Sequence, residues 1–205
     1  EVTSVHGALF FQANDGTCGN ELWKSDGRAA GTVLVKNIDA ATKHADPDSL
    51  TNVNGTLFFG ASDVEHGREL WKSDGSTAGT VLVQDIFTGS GAASPSSLAN
   101  VNGTLFFSAN DGTLGSELWK SDGTAAGTVL VQDICAGSVT GGPTAFTNVS
   151  GTLFFYANDG THGHELWKSD GTAAGTVLVK DIHPGSASSN PGSLRRLAGA
   201  VYLAA

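Results

Sequence analysis

The chain has 205 residues, 28 of them Gly, with 20 acidic and 11 basic residues and a formal net charge of −9. A hydrophobic share of 40% is too rich for a disordered chain, and a charged share of 15% leaves a surface of small polar residues that favours turns and strands over helices. No apolar run approaches the roughly 18 to 20 residues of a membrane span and no charged-then-apolar leader stands at Glu1, so the expectation is a soluble segment; the scattered basic residues offer no patch for nucleic acid.

The chain opens with two short apolar segments, Val2 to Val5 and Ala8 to Ala13, followed by Glu21-Leu22-Trp23-Lys24-Ser25-Asp26-Gly27 and then Gly31-Thr32-Val33-Leu34-Val35. The same text returns around Trp71, Trp119 and Trp167, each 48 residues after the last. A constant period of this length is the mark of a stacked repeat. One later copy divides into four segments of strand length: a (Val129 to Ile134), b (Phe146 to Val149), c (Thr152 to Ala157) and d (Glu165 to Lys168). Val, Leu, Phe, Thr and Trp dominate them, as on a pleated surface. Asn158-Asp159-Gly160 joins c to d, Ser169-Asp170-Gly171-Thr172 joins d to the next a, and Asn102-Gly103 joins b to c in an earlier copy. Each supplies the positive backbone φ of a tight reversal. The a-to-b connection alone is longer and variable. The chain closes with Val177 to Ile182, Leu194 to Leu197 and Ala200 to Ala204.

Four antiparallel strands in 48 residues, repeated, predict an all-β fold: a β-propeller of four-stranded antiparallel blades, with four or five blades visible and a longer array as a further reading. The units of this single repeat domain are approximately 1–32 (partial), 33–80, 81–128, 129–176 and 177–205 (partial). Segment a, the most continuously apolar, is expected innermost. The Trp is expected on the outer strand, where burial of about 200 Å2 between neighbouring blades stabilises each unit. Closing the ring with four blades would require Val177 to Ile182 to join the amino-terminal b, c and d.

The text around Trp71 (Glu69-Leu70-Trp71-Lys72-Ser73-Asp74-Gly75-Ser76) resembles the ELWxxDGT repeat family of bacterial secreted and surface proteins and departs from its signature only at Ser76. That resemblance covers nearly the whole chain. It implies a propeller-like repeat in an extracellular or cell-surface protein with no common activity. Ala109, Asp111, Gly115 and Trp119 are also similar in spacing to the tryptophan-docking motif of quinoprotein propellers, which implies shared blade docking and no shared cofactor.

The recurring acids Asp15, Glu21 and Asp26 return as Asp63, Glu69 and Asp74, as Asp111, Glu117 and Asp122, and as Asp159, Glu165 and Asp170. Calcium, which takes about six to eight oxygens, is one reading, although no Asp-x-Asp-x-Asp-Gly loop occurs. The other is that the Asp side chains cap their own turn amides while Glu pairs with the repeated Lys. His162 and His164 form a His-x-His pair that zinc or copper would accept, but no third ligand is evident. Cys18 and Cys135 are either a disulfide or two separate thiols. No catalytic residue or cofactor site is marked, so the repeated Trp23, Trp71, Trp119 and Trp167 and Asp26, Asp74, Asp122 and Asp170 are assigned structural roles.

The functional expectation is a non-enzymatic structural or adhesive module that presents repeated loops to a protein or glycan at a cell surface. Oligomerisation or strand exchange through incomplete terminal blades is a further expectation. The alternatives are a multivalent lectin with inter-blade pockets and a hydrolase with one site over the channel.

Overall fold

The computed structural model describes residues 1–41, 44–137, 141–189, 195–197 and 200–202. Strands make up its regular structure apart from one 3-10 turn at Ala29–Gly31. The first sheet is β1 (Val2–Val5), β2 (Ala8–Asn14), β3 (Asn20–Ser25) and β4 (Val33–Lys36), hydrogen-bonded in that order. The second is β5 (Asp48–Val53), β6 (Thr56–Asp63), β7 (Gly67–Ser73) and β8 (Val81–Gln84). The third is β9 (Ser96–Val101), β10 (Thr104–Asn110), β11 (Ser116–Ser121) and β12 (Val129–Gln132), and the fourth is β13 (Thr144–Val149), β14 (Thr152–Asn158), β15 (His164–Ser169) and β16 (Val177–Lys180). A hairpin of β17 (Arg195–Leu197) and β18 (Ala200–Tyr202) begins a fifth; Leu194 and residues 203–204 of the expected terminal strands lie outside the described residues. The fold is therefore a β-propeller of four-stranded antiparallel blades built on the 48-residue repeat.

Each sheet runs b, c, d, a, and this corrects the expected radial order. The b strands β1, β5, β9 and β13 stand next to one another and are joined through their asparagines: Asn52 Nδ2 donates to the Ser4 carbonyl, Asn100 to that of Asn52, and Asn148 to that of Asn100. Segment b is thus innermost and a is the outer edge, with Val33, Val129 and Val177 exposed. The apolar continuity of a has another cause. Both faces of an interior blade are covered by neighbours, so Leu82 packs into one seam and Val83 into the next. Burial on two faces therefore says nothing about distance from the axis. The Trp sits one strand inside the edge, paired with Leu34, Leu82, Leu130 or Leu178 of segment a. The amino-terminal b, c and d are completed by β4, and β16 completes the fourth sheet, so Val177 to Ile182 does not close a ring by joining the first sheet.

The seams carry the stability. Between the second and third sheets, Phe58, Leu70, Val83 and Ile86 meet Leu105, Phe107, Ala109 and Trp119. The seams on either side repeat this set: Phe10, Leu22 and Val35 against Leu57, Phe59, Ala61 and Trp71, and Phe106, Leu118, Val131 and Ile134 against Leu153, Phe155, Ala157 and Trp167. Each fully buried Phe or Leu contributes about 1.5–3 kcal/mol. Polar ties cross the same seams: Lys24, Lys72 and Lys120 donate through Nζ to the carbonyls of Gly75, Gly123 and Gly171 on the following sheet.

One glycine in the d-to-a turn of the second, third and fourth sheets (Gly75, Gly123 and Gly171) is fixed by this contact. Gly123 has φ +91, and a Cβ there would stand 3.0 Å from Phe58 Cζ of the preceding sheet. Gly123→Ala is expected to cost about 1–3 kcal/mol, because the left-handed backbone and the aromatic contact both oppose the methyl group. Thermal denaturation checks this, and an unchanged Tm contradicts it.

Candidate functional site

The repeated glutamates have a role that the sequence reading missed. Glu21, Glu69, Glu117 and Glu165 are fully buried, opposite Ala13, Ala61, Ala109 and Ala157 on the neighbouring strand. Among the described residues none pairs with Lys, which corrects the expectation. Instead the Ile86 amide donates to Glu69 Oε2, and those of Phe87 and Ala93 donate to Oε1. Glu117 takes the amides of Ile134 and Gly141 in the same way. The glutamate thereby pins the variable a-to-b connection, whose Ala93 carbonyl also accepts from Asn110 N of the next sheet. The available signal was a carboxylate repeated within an apolar strand and facing only Ala, a setting unsuited to a solvent ion pair.

Burial raises the carboxyls of Glu69 and Glu117 to about 7 despite the amides that favour the anion. Burial pushes Glu165 upward as well, but the Ser189 hydroxyl and the amides of Ile182 and Ser189 outweigh it and hold this group below the usual range. A raised folded pKa gives stability that is complete below the unfolded value of 4.5 and is lost as pH rises through 7. Asp15, held near 2 by the amides of Cys18 and Thr17, has the opposite sign: its contribution is present above 3.8 and lost as the pH falls toward 2. The Tm is therefore expected to peak near pH 4–5 and to fall on both sides. Glu69→Gln should flatten the neutral-side slope; a Tm that rises from pH 5 to 8 contradicts this.

The c-to-d turns are capped by their own aspartates. Asp15 accepts from the amides of Thr17 and Cys18, Asp111 from those of Thr113 and Leu114, and Asp159 from those of Thr161 and His162. The d-to-a turns work similarly, with Asp26, Asp74, Asp122 and Asp170 each accepting the amide two residues on. His162 is held by Asp159, 2.7 Å from Nδ1, and the backbone amide of His164 bonds Ser188 Oγ. Among the described residues no three His, Cys, Asp or Glu side chains gather as a metal site. Cys18 and Cys135 are both free. The Cys135 sulfur packs on the fourth-sheet turn, where a Cβ at Gly160 would come within 3.3 Å, whereas Cys18 belongs to the corresponding turn of the first sheet.

At the opposite end of the blades, where b turns into c and d into a, the seams open into polar pockets. One, of about 140 Å3, is lined by Asn54, Thr56, Phe58 and Lys72 of the second sheet and Gly103, Asp122 and Gly123 of the third. Its counterpart, of about 150 Å3, has Asn102, Thr104, Phe106 and Lys120 facing Gly151, Asp170 and Gly171. Every lining residue recurs at the 48-residue step. Thr56 and Lys72 also line an adjoining hollow of about 330 Å3 with Ser73, Asp74 and Gly79, so the seam pocket continues across the face of the blade. At the first seam His6 and Ala8 stand where Asn and Thr stand later, and the His6 ring covers Gly55.

No family model matches the chain, and no curated protein matches it. Among solved structures, puromycin hydrolase superposes with a TM-score of 0.55 at 16% identity over 95% of this chain and 31% of its own, so the chain spans about a third of that enzyme. An α-L-arabinofuranosidase from Clostridium thermocellum matches with a TM-score of 0.40 at 14% identity (87% of this chain, 71% of that one). An endo-arabinase from Bacteroides thetaiotaomicron matches with a TM-score of 0.39 at 14% identity (98% and 86%). The architecture is one that a hydrolase carries, and this corrects the expectation of a non-enzymatic structural or adhesive role. No helix among the described residues is long and apolar enough to cross a membrane.

Proposed function

We propose that this chain recognises carbohydrate, one sugar ring at each polar seam pocket. The observation that carries the reading is the pair of pockets lined by the same Asn, Thr, Phe, Lys, Asp and Gly residues one period apart. Their volumes decide the size of the ligand. Drug-sized molecules need roughly 300–1,000 Å3, whereas 140–150 Å3 suits a single small ring. A hydroxyl-rich ring matches the lining: the Asp122 carboxylate and the Asn54 amide oxygen accept, while the Lys72 ammonium and the Thr56 hydroxyl donate. The continuation past Thr56 and Lys72 suits a further ring of an oligosaccharide. Equivalent weak sites gain strength together on a multivalent surface. We read the setting as extracellular or cell-surface, which is what the ELWxxDGT resemblance implies.

A glycan array at high display density tests the reading. Retention on a restricted set of glycans, lost in Asp122→Ala/Asp170→Ala, is the expected result. Absence of binding across the array, or a double variant that binds as well as the parent, contradicts it.

A further inference from the structure

The seam pockets hold opposite charges apart. Lys72 and Asp122 line one pocket and Lys120 and Asp170 the other, yet among the described residues neither couple closes into an ion pair. Each group is tied to the chain instead. Lys72 Nζ donates one N–H to the Gly123 carbonyl and Lys120 Nζ one to that of Gly171, which leaves each ammonium two further protons. Asp122 accepts the amide and hydroxyl of Thr124, both on Oδ1, and Asp170 accepts those of Thr172 in the same way. The Thr hydroxyl and amide, together with the charge of Lys72 or Lys120, hold both carboxyls below the usual carboxylate range, so each is an anion at neutral pH. The Asn54 amide group donates to the Gly103 carbonyl and that of Asn102 to the Gly151 carbonyl, which fixes the amides and leaves Oδ1 of each to accept.

We propose that each pocket selects a neutral sugar through two hydroxyls on adjacent carbons, one donating to the aspartate and the other accepting from the lysine. This rests on the carbohydrate reading above and narrows it to one chemical class. A separated ammonium and carboxylate present a donor and an acceptor within one pocket. A vicinal diol supplies the matching pair, because every hydroxyl both donates and accepts, and hydrogen bonds to charged groups are the stronger kind. The Thr56 hydroxyl and the Asn54 oxygen add a neutral donor and acceptor beside them. Phe58 and Phe106 are each 3% exposed and so offer no broad ring face, which leaves the choice of sugar to its hydroxyl pattern and not to stacking. Charge excludes other classes. With room for a single ring, a uronate reaches Lys72 only by bringing its carboxylate near Asp122, and an amino sugar reaches Asp122 only by bringing its ammonium near Lys72. The net charge of −9 adds to the rejection of acidic glycans.

Titration calorimetry tests this with the methyl glycosides of glucose, galactose, mannose and xylose, followed by the uronate and monodeoxy forms of the tightest binder. One adjacent pair of hydroxyls should stand out. Removing either should weaken binding about tenfold or more, because a site built to bond a hydroxyl rejects the analogue that lacks it, and removing any other should cost less than about threefold. The parent chain should bind the uronate about tenfold or more weakly than the neutral sugar. Asp122→Asn/Asp170→Asn leaves the lysines unopposed and should reverse that order, which a loss of folding would not do; far-ultraviolet circular dichroism confirms that the variant folds. Losses spread evenly round the ring, a uronate that binds the parent as well as the neutral sugar does, or a double variant that keeps the parent's order overturns the diol selection and leaves carbohydrate recognition in place. Silence of every glycoside and uronate while the glycan array still retains the chain also overturns it. Silence in both experiments contradicts carbohydrate recognition itself, and the selection falls with it.

Discussion

Glu69→Ala is expected to destabilise the chain by about 3–5 kcal/mol, because it leaves three backbone amides, two of them buried and one half-buried, without an acceptor. Those of Ile86, Phe87 and Ala93 all converge on this carboxylate. The loop they belong to lies in the seam between the second and third sheets, so its release also frees Asn110 N from the Ala93 carbonyl. Glu69→Gln keeps one carbonyl oxygen in place but turns an NH2 group toward the remaining amide hydrogens, and should cost about 1–2 kcal/mol. Urea denaturation of the three proteins checks the order. A Glu69→Ala chain as stable as the parent would mean that the loop is held by its apolar contacts alone.

The second large effect is a contrast between two leucines at the same place in the repeat. Leu105 and Leu9 stand two periods apart on the same strand position, one fully buried in a seam and one at the open end. Leu105→Ala is expected to cost about 2–5 kcal/mol, from lost apolar transfer and the cavity left behind. Leu9→Ala should cost less than about 1 kcal/mol, since this side chain is already half exposed. Equal losses would contradict the account, because closely similar local sequence would then be giving equal stability without regard to the covering sheet.

Strands, turns and blades could be read from the sequence because they depend on local chemistry that recurs. Asp-Gly and Asn-Gly pairs with positive φ at Gly16, Gly55, Gly103 and Gly160 reverse the chain wherever the text places them. The packing of Trp71, Trp119 and Trp167 between blades followed from their size. What could not be read was anything set by the neighbouring sheet. The radial order was mistaken because apolar continuity in segment a reflects cover from both sides, while the axis is marked by the modest asparagines Asn52, Asn100 and Asn148. Likewise the glutamates bond amides some 17 to 24 residues away, a distance at which no spacing rule applies. The seam pockets draw Asp122 and Asn54 from different copies, so their shared wall is visible only in three dimensions.

Carbohydrate recognition at repeated seams makes a claim about number, and titration calorimetry with a sugar identified on the array measures number directly. Two equivalent sites per chain are expected, one at each Asn–Thr–Lys–Asp pocket. Asp122→Ala should leave one and Asp122→Ala/Asp170→Ala none, with the Tm lowered by the lost turn caps and circular dichroism showing that both variants fold. A single site that survives both substitutions would place recognition elsewhere on the molecule and contradict the account.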